Sequence, residues 1–366
     1  MKIAIDCREL RGQAGGFRTY LIGLLEGLAE VDTDNEYLLY VYSPSDLEGI
    51  RIPVRSLTID VSGGRLWSDW FYLRKHINSD NPDVVHFPAN YGLVGISVPS
   101  VVTLHDCISL DSKARCASVK SEILRRYSAM MTGISITRAN SVITVSNYSR
   151  DRIASRFGCD RKIVVTYEAA RAKPESREVC VDPDSASTKP YLLVLASVDR
   201  RKNTSLVIQA FSQTRLAREQ CRLMIVASHP AAQRLVEREA NEFGVFSLID
   251  IKSQVDDRTL QCLYSECLAF VFPSLDEGFG LPPLEAMACG AAVISSDRAS
   301  MPEVLGDAAL YFDPGDAVDL ADKMDVLVDH EELCKSLGEA GLRRASAFSW
   351  HEIAHSTLAA YKDAVR

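Results

Sequence analysis

In the stretch PSLDEGFGLPPLEAMACG, Pro273 to Gly290, two carboxylates flank a glycine-rich bend, Glu277 before it and Glu285 beyond a pair of prolines. The run LAFVFPS ahead of it predicts a strand ending near Pro273. PPLEAMACG predicts a helix opening near Pro282 or Pro283 and stopped by Gly290. Proline suits a first helical turn because its missing N–H would be unpaired there, and glycine suits the position past the end. The bend DEGFGL therefore falls at a helix N-terminus. Unpaired N–H groups and the positive end of the helix dipole favour an anion there, and Gly278 and Gly280 let the backbone come close to it. A phosphate fits that chemistry. Glu285, within the first turn or so of the helix, is placed to accept from both hydroxyls of a ribose, and Glu277 faces the group beyond the phosphates. Taken singly, each glutamate reads equally well as a dipole-complementing or solvated acid. The combination with Gly-Phe-Gly and the small-residue helix favours the ligand.

A second anion site follows another strand. YLLVLASVDRRKNTSLVIQAF puts Arg201 and Lys202 in a loop just before a helix opening near Asn203 or Thr204. Asn and Thr are good N-caps, and adjacent cations beside a helix start suit a diphosphate. Read alone, RRK is an exposed basic turn.

These loops need a scaffold to hold them. Short apolar runs recur along the 366 residues: KIAI, YLLYVY, DVVHF, SVVTLHD and SVITVS, then YLLVLAS, RLMIVAS, LAFVFPS and AAVISSD. Helix-like segments such as TYLIGLLEGLAEV and RTLQCLYSEC separate most of them. Strand alternating with helix implies parallel sheets covered on both faces, whose ligands bind at the carboxyl ends of the strands. The pattern runs twice around a polar, aperiodic stretch, Arg171 to Pro190. The expected architecture is therefore α/β, two doubly wound Rossmann-like domains facing across a cleft. The expected boundaries are residues 1–172, a linker at 173–190, a second domain at 191–345, and a last segment at 346–366.

Composition narrows the function classes. Apolar residues at 47% and charged residues at 25% describe a globular protein, and a formal charge of −8 argues against nucleic acid as the main partner. Ten cysteines without a C-x-x-C pair suit reduced, mostly buried thiols. The opening MKIAIDCREL reaches its acids and arginine too soon for a signal peptide, and no run spans a bilayer, so a cytoplasmic location is expected. Two D-x-D tripeptides, Asp32-Thr33-Asp34 and Asp182-Pro183-Asp184, read as solvated turns rather than metal sites.

Over nearly its whole length the chain resembles the retaining family-4 glycosyltransferases of GT-B architecture. The segment from Pro273 to Pro314 carries that family's two-glutamate motif with seven residues between the glutamates. The resemblance implies that Glu277 holds donor-sugar hydroxyls and Glu285 binds ribose. Phe279, Gly280 and Leu281 would offer amides to sugar and phosphate, and Arg201 and Lys202 would neutralise the diphosphate. AGGFRTYLIGLLEGLAE resembles the family's first loop and helix, in which Gly15 and Gly16 let backbone approach donor or acceptor. TLHDC places His105 and Asp106 as the family's pair beside the reacting sugar. FSWHEIAHSTLAAYKDAV resembles the C-terminal helix that crosses back to the N-terminal domain.

Departures from the family are informative. Ala196 and Ser197 replace a glycine-arginine pair, which leaves the phosphate charge to Arg201 and Lys202. Ala292 replaces a proline, and Ser253 a glycine near the base pocket expected around Val255. YEAAR, Tyr167 to Arg171, replaces an asparagine-glycine turn, a change expected to affect a hinge. The implied reaction needs no metal and no cofactor beyond a nucleotide-diphosphate sugar, with GDP-mannose as the expected donor and a UDP- or dTDP-sugar the alternative. A saccharide or lipid-linked saccharide is the expected acceptor. An epimerase or phosphorylase would need other histidine, acid or lysine patterns; a non-catalytic sugar-nucleotide subunit would bind without turnover. Lys113, Arg115, Lys120, Arg125 and Arg126, with Ile123, Leu124, Tyr127, Met130 and Met131, form a basic and apolar segment that could lie on an anionic membrane, although the same apolar residues suit a core-facing helix.

Overall fold

The computed structural model describes residues 1–11, 15–61, 72–110, 119–171, 190–215 and 221–366. Each apolar run offered by the sequence is a strand: β1 (Lys2–Asp6), β2 (Glu36–Val41), β4 (Val84–Phe87), β5 (Ser100–Thr103), β6 (Ser141–Thr144), then β8 (Tyr191–Leu195), β9 (Arg222–Val226), β11 (Ala269–Phe272) and β12 (Val293–Ser296). Four further strands lie outside those runs: β3 (Ser56–Asp60), β7 (Ile163–Val165), β10 (Ile249–Lys252) and β13 (Leu310–Phe312), β7 and β13 being apolar but only three residues long. The sheets run β3-β2-β1-β4-β5-β6-β7 and β10-β9-β8-β11-β12-β13, so these four strands are the four edges. All the pairings are parallel. A central strand such as β4 is wholly buried, whereas no residue of β3 is. Only the buried kind must be written as a continuous apolar run.

Successive side chains point to opposite faces of a strand, and the core divides accordingly. Ile3 and Ile5 join Tyr37, Leu39 and Val41 in one cluster, while Ala4 joins Leu38, Tyr40, Val85 and Phe87 in another. The first cluster is closed by α1 (Gly16–Val31) and by the last helix of the chain, which is preceded by α2 (Arg74–Asp80), α3 (Val119–Arg138), α4 (Asn147–Phe157), α5 (Thr204–Gln213), α6 (Pro230–Glu242), α7 (Asp257–Glu266), α8 (Leu281–Ala288), α9 (Met301–Leu305), α10 (Ala317–Asp329) and α11 (Glu331–Ser346). That last helix is α12 (Trp350–Val365). Its Trp350 lies so close to α1 that a Cβ on Gly23 would sit 2.1 Å from the indole, and one on Gly27 2.4 Å from the Trp350 carbonyl oxygen. Two compact units result, residues 1–169 with 349–366, and residues 170–348.

Three expectations need comment. Asp32 is buried rather than solvated: its carboxylate accepts from the Asp34 and Asn35 backbone amides, the Asn35 side chain and the Tyr37 hydroxyl, and so is consumed in building the turn from α1 to β2. The second D-x-D, and the expected linker apart from Pro190, lie outside the described residues. Among the described residues seven cysteines are free thiols, of which Cys7, Cys107, Cys221 and Cys289 are buried, in line with the expected reduced, mostly buried thiols, whereas Cys262 is disulfide-bonded.

Candidate functional site

In the second sheet the strand order reverses between β8 and β11, which lie side by side. The loop leaving β8 carries Arg201 and Lys202 and the loop leaving β11 carries Glu277, so both emerge at one point of the carboxyl edge. A switch point of this kind is where open α/β sheets bind ligands, because the two loops part there.

Glu277 is the centre of the cluster. One carboxylate oxygen lies 2.6 Å from Lys202 Nζ and accepts from the Ser274 hydroxyl at 2.6 Å; the other is 2.7 Å from the Arg201 guanidinium. Burial by itself pushes this carboxyl up, but the charges of Lys202 and Arg201, with hydrogen bonds from Lys202 and Ser274, outweigh it and hold Glu277 below its ordinary value. Arg201 also donates to the Asp276 carbonyl at 2.5 Å, and its backbone amide is capped by Asp199 at 3.0 Å. Lys202 stands 5.3 Å over the Phe272 ring. Two cations face Glu277, and Asp199, 3.3 Å from the Arg201 guanidinium, balances the remaining charge, so a diphosphate here would meet cations already shared with carboxylates.

The bend itself is fixed from outside. The Ser300 hydroxyl reaches the carbonyls of both Glu277 and Phe279, at 3.0 and 2.9 Å. Phe279 packs edge-on to Phe348. Gly280 is the N-cap of α8 with φ of 106°, so Leu281 opens the helix with the prolines behind it. A Cβ at Gly280 would lie 2.3 Å from the Met301 methyl. Gly280→Ala should therefore destabilise the protein by about 1–2 kcal/mol, lowering a thermal midpoint by roughly 2–4 °C per kcal/mol. An unchanged melting curve would show that the bend accepts a side chain. The helix after Lys202 opens at Thr204, as expected, but Asn203 does not cap it: Asn203 is left-handed, and its side-chain amide donates to the Pro314 carbonyl instead.

Glu285 is half-buried in α8, which packs on α7. Burial, and then the charge of Glu285, push the Tyr264 hydroxyl of α7 up. Val255 is half-buried in the loop joining β10 to α7 at the same carboxyl edge. Ser197, where the family has a charged residue, accepts from the Asp199 amide at 3.1 Å and so shapes the basic turn.

The first unit has its own arrangement. Gly15 is the N-cap of α1 at φ 140°, Gly16 begins the helix, and a Cβ on either would meet nothing within 4 Å among the described residues. Asp106 accepts from the Ile108 amide at 2.8 Å. His105 is held by protein partners at both ring nitrogens. Its ring is buried, only 7% exposed, and packs edge-on to Phe17 and Tyr20 of α1. Nδ1 is 2.8 Å from a Glu168 carboxylate oxygen and Nε2 is 2.9 Å from the Pro88 carbonyl. In this structure both ring nitrogens thus have partners within the protein, and α1 covers one side of the ring through Phe17 and Tyr20. Glu168, read in the sequence as part of a hinge, is 4% exposed and holds this histidine.

Ser274, Ser300 and Glu168 are the residues that sequence reasoning missed. Ser274 stands three positions before Glu277 and was a local signal that the motif offered, whereas the partners of Ser300 and Glu168 lie 21 or more positions away and leave no local pattern. A pocket of about 110 Å³ lined by Asp6, Arg8, Glu9, Tyr42, Ala89 and Tyr91 was also missed. It sits beside the reversal of the first sheet, between β1 and β4, with Arg8 ion-paired to Asp6 at 2.7 Å. The acids and arginine directly after the first strand were the available signal. In α3, Ile123 and Met130 are exposed and Met131 is buried; Lys113 and Arg115, and the side chains of Lys120, Leu124 and Arg125, lie outside the described residues. No helix among the described residues is long and apolar enough to cross a membrane.

Residues 14–169 match the family model described as Glycosyltransferase Family 4, and residues 178–344 the one described as Glycosyl transferases group 1. The chain is 31% identical over 303 residues to the serotype-specific mannosyltransferase WbdA of Escherichia coli, a match covering 76% of this chain and 36% of WbdA, so the matched region is about a third of that relative. It is 29% identical over 294 residues to O-antigen chain mannosyltransferase B of Escherichia coli, covering 77% of this chain and 75% of the relative. Anabaena Alr3699/HepE, solved in complex with UDP and glucose, is similar in fold, with a TM-score of 0.76 at 16% identity over 98% of each chain.

Proposed function

Because the chain belongs to the GT-B glycosyltransferases, we propose that it transfers mannose from GDP-mannose to a saccharide or lipid-linked saccharide in polysaccharide assembly, with retention at the anomeric carbon. The observation that carries this reading is the Arg201–Lys202–Glu277 cluster at the switch point beside the Gly280 helix start. Breaking a sugar–phosphate bond develops negative charge on the departing diphosphate. Fixed cations and oriented amides stabilise that charge without having to reorganise. Arg201, Lys202 and the amides at Phe279, Gly280 and Leu281 serve the leaving group, Glu285 the ribose and Glu277 the sugar hydroxyls. Retention follows from same-face attack, in which the departing phosphate helps take the acceptor's proton, so no side chain acts as a nucleophile.

The choice of mannose rests on the two mannosyltransferase relatives, and a fold-level likeness to a UDP- and glucose-bound protein leaves a UDP-sugar as the competitor. A panel of nucleotide sugars, scored by release of the diphosphate with EDTA present, tests the reading. GDP-mannose should be consumed fastest and the chelator should have no effect. A preferred UDP- or dTDP-sugar overturns the donor, activity lost to EDTA and restored by magnesium or manganese overturns the metal-free mechanism, and binding without turnover makes the chain a sugar-nucleotide-binding subunit. The same preparation, spun with anionic vesicles at low salt, should pellet if the acceptor is met at a membrane through α3. A supernatant protein points to a soluble acceptor.

A further inference from the structure

His105, in the loop after β5, joins helix α1 to the loops that follow β4 and β7. Its ring touches Phe17 and Tyr20 of α1, its Nε2 faces the Pro88 carbonyl after β4, and its Nδ1 faces Glu168 after β7. Its own backbone amide donates to Asn90 at 2.9 Å, and its carbonyl accepts from the Ser149 hydroxyl of α4 at 3.0 Å. The Pro88 carbonyl opposite Nε2 can only accept, so Nε2 carries a proton, and the Glu168 carboxylate oxygen opposite Nδ1 is the natural acceptor for a second N–H. Two hydrogen bonds to two such acceptors need two N–H groups, which only the imidazolium has.

We propose that Glu168 is a positioning residue for the transferase reaction, holding His105 as a fixed imidazolium that locks the Gly15–Gly16 turn, through Phe17 and Tyr20, to the loops after β4 and β7. The inference rests on the transferase reading for its kinetic arm alone. His105 is then neither base nor acid; it carries a constant charge and a constant ring orientation. The other titratable groups around it agree. Asp106, beside it, adds to the field of Glu168. His86 on β4, bonded to Thr103 and Tyr361, is lowered to about 3 by burial and then by the charge of His105, so it stays neutral. Tyr20 is pushed up by burial and stays protonated. For His105 itself burial pulls downward, but the hydrogen bond and charge of Glu168, then the Pro88 carbonyl and Asp106, raise it above its ordinary value.

The consequence is a pH dependence of definite sign. Losing one proton turns one ring nitrogen into an acceptor facing an oxygen, so one bond breaks and the ring is repelled from its seat. Activity should therefore fall as pH rises through the raised value of His105. Glu168→Gln keeps the shape and one hydrogen bond but removes the charge. The alkaline limb of kcat/KM should then move down by about 1–3 units, the shift expected when an opposite charge is withdrawn. The NMR titration of the His105 ring should move with it. A limb and a ring titration that stay where they are in folded Glu168→Gln would reduce Glu168 to packing. Ring nitrogen signals in the unmodified protein give a check free of folding and of activity: both nitrogens protonated at neutral pH supports the inference, and one bare nitrogen there overturns it. If the ring titrates as stated while no sugar is transferred, the positioning stands and the transferase reading fails.

Discussion

Glu277→Gln should lower sugar transfer by roughly 10²–10³-fold, the range seen when one preorganised polar group is removed from a transition-state site, while binding of free nucleoside diphosphate holds steady or tightens. The sign of the second effect follows from the cluster. Lys202 and Arg201 lie 2.6 and 2.7 Å from the Glu277 carboxylate, so their charges are shared between it and any diphosphate. An amide at this position takes away the competitor and releases both cations to the phosphates. Only the group that holds sugar hydroxyls is lost, and that loss belongs to the transfer step. Kinetics and calorimetry on the same variant decide the matter. Diphosphate binding that weakens in parallel with turnover would mean that Glu277 organises the site as a whole rather than gripping the sugar. The same variant carries a stability signature. A carboxyl held below its ordinary value stabilises the fold at any pH above the unfolded group's value, about 4.3, and that contribution is lost as pH falls through the lowered folded value. Acid unfolding should thus be less steep in Glu277→Gln than in the parent chain.

Lys202→Ala should have the second large effect, a loss of about 10²–10³-fold in transfer, accompanied by diphosphate binding weaker by about 1.5–3 kcal/mol, the usual worth of hydrogen bonds to a charged group. Here binding and catalysis fall together, because a cation meets the diphosphate in the ground state and meets more charge as the bond breaks. Arg201→Ala should behave in the same way with an added structural cost, since Arg201 also donates to the Asp276 carbonyl that leads into the bend. The double variant should lose less than the sum of the single losses, both residues sharing Glu277 as a partner. Steady-state kinetics with titration of GDP on the three variants is the measurement. Transfer by Lys202→Ala within a few-fold of the parent would remove the lysine from the leaving-group site.

Much of this molecule could be read along the chain because its rules are local. A helix start announced by Gly280 and two prolines depends on backbone angles of those residues alone, and the structure opens α8 at Leu281 and ends it at Ala288. Strands buried on both faces must be apolar throughout, so β4, β8 and β11 declare themselves. The edge strands do not, for two reasons: β3 and β10 have one neighbour each and carry polar residues among the apolar ones, while β7 and β13 are apolar but only three residues long. Asn203 shows the limit of a local rule: a good capping residue by type, it spends its amide on Pro314, which is 111 positions away.

Residue types and spacing by themselves determined that the chain builds two parallel sheets and a glycine bend at a helix start, since periodicity, glycine, proline and caps act on neighbours. What only the tertiary structure decided is who meets whom. Lys202 finds Glu277 across 75 positions because β8 lies beside β11, and His105 finds Glu168 across 63 because the loops after β5 and β7 converge on one edge. Strand order is a property of crossovers and of the whole core, and no stretch of sequence contains it. Burial acts with it: water excluded from the His105 ring and the Glu277 carboxylate makes each choose partners within the protein, which joins two distant motifs into one charged cluster.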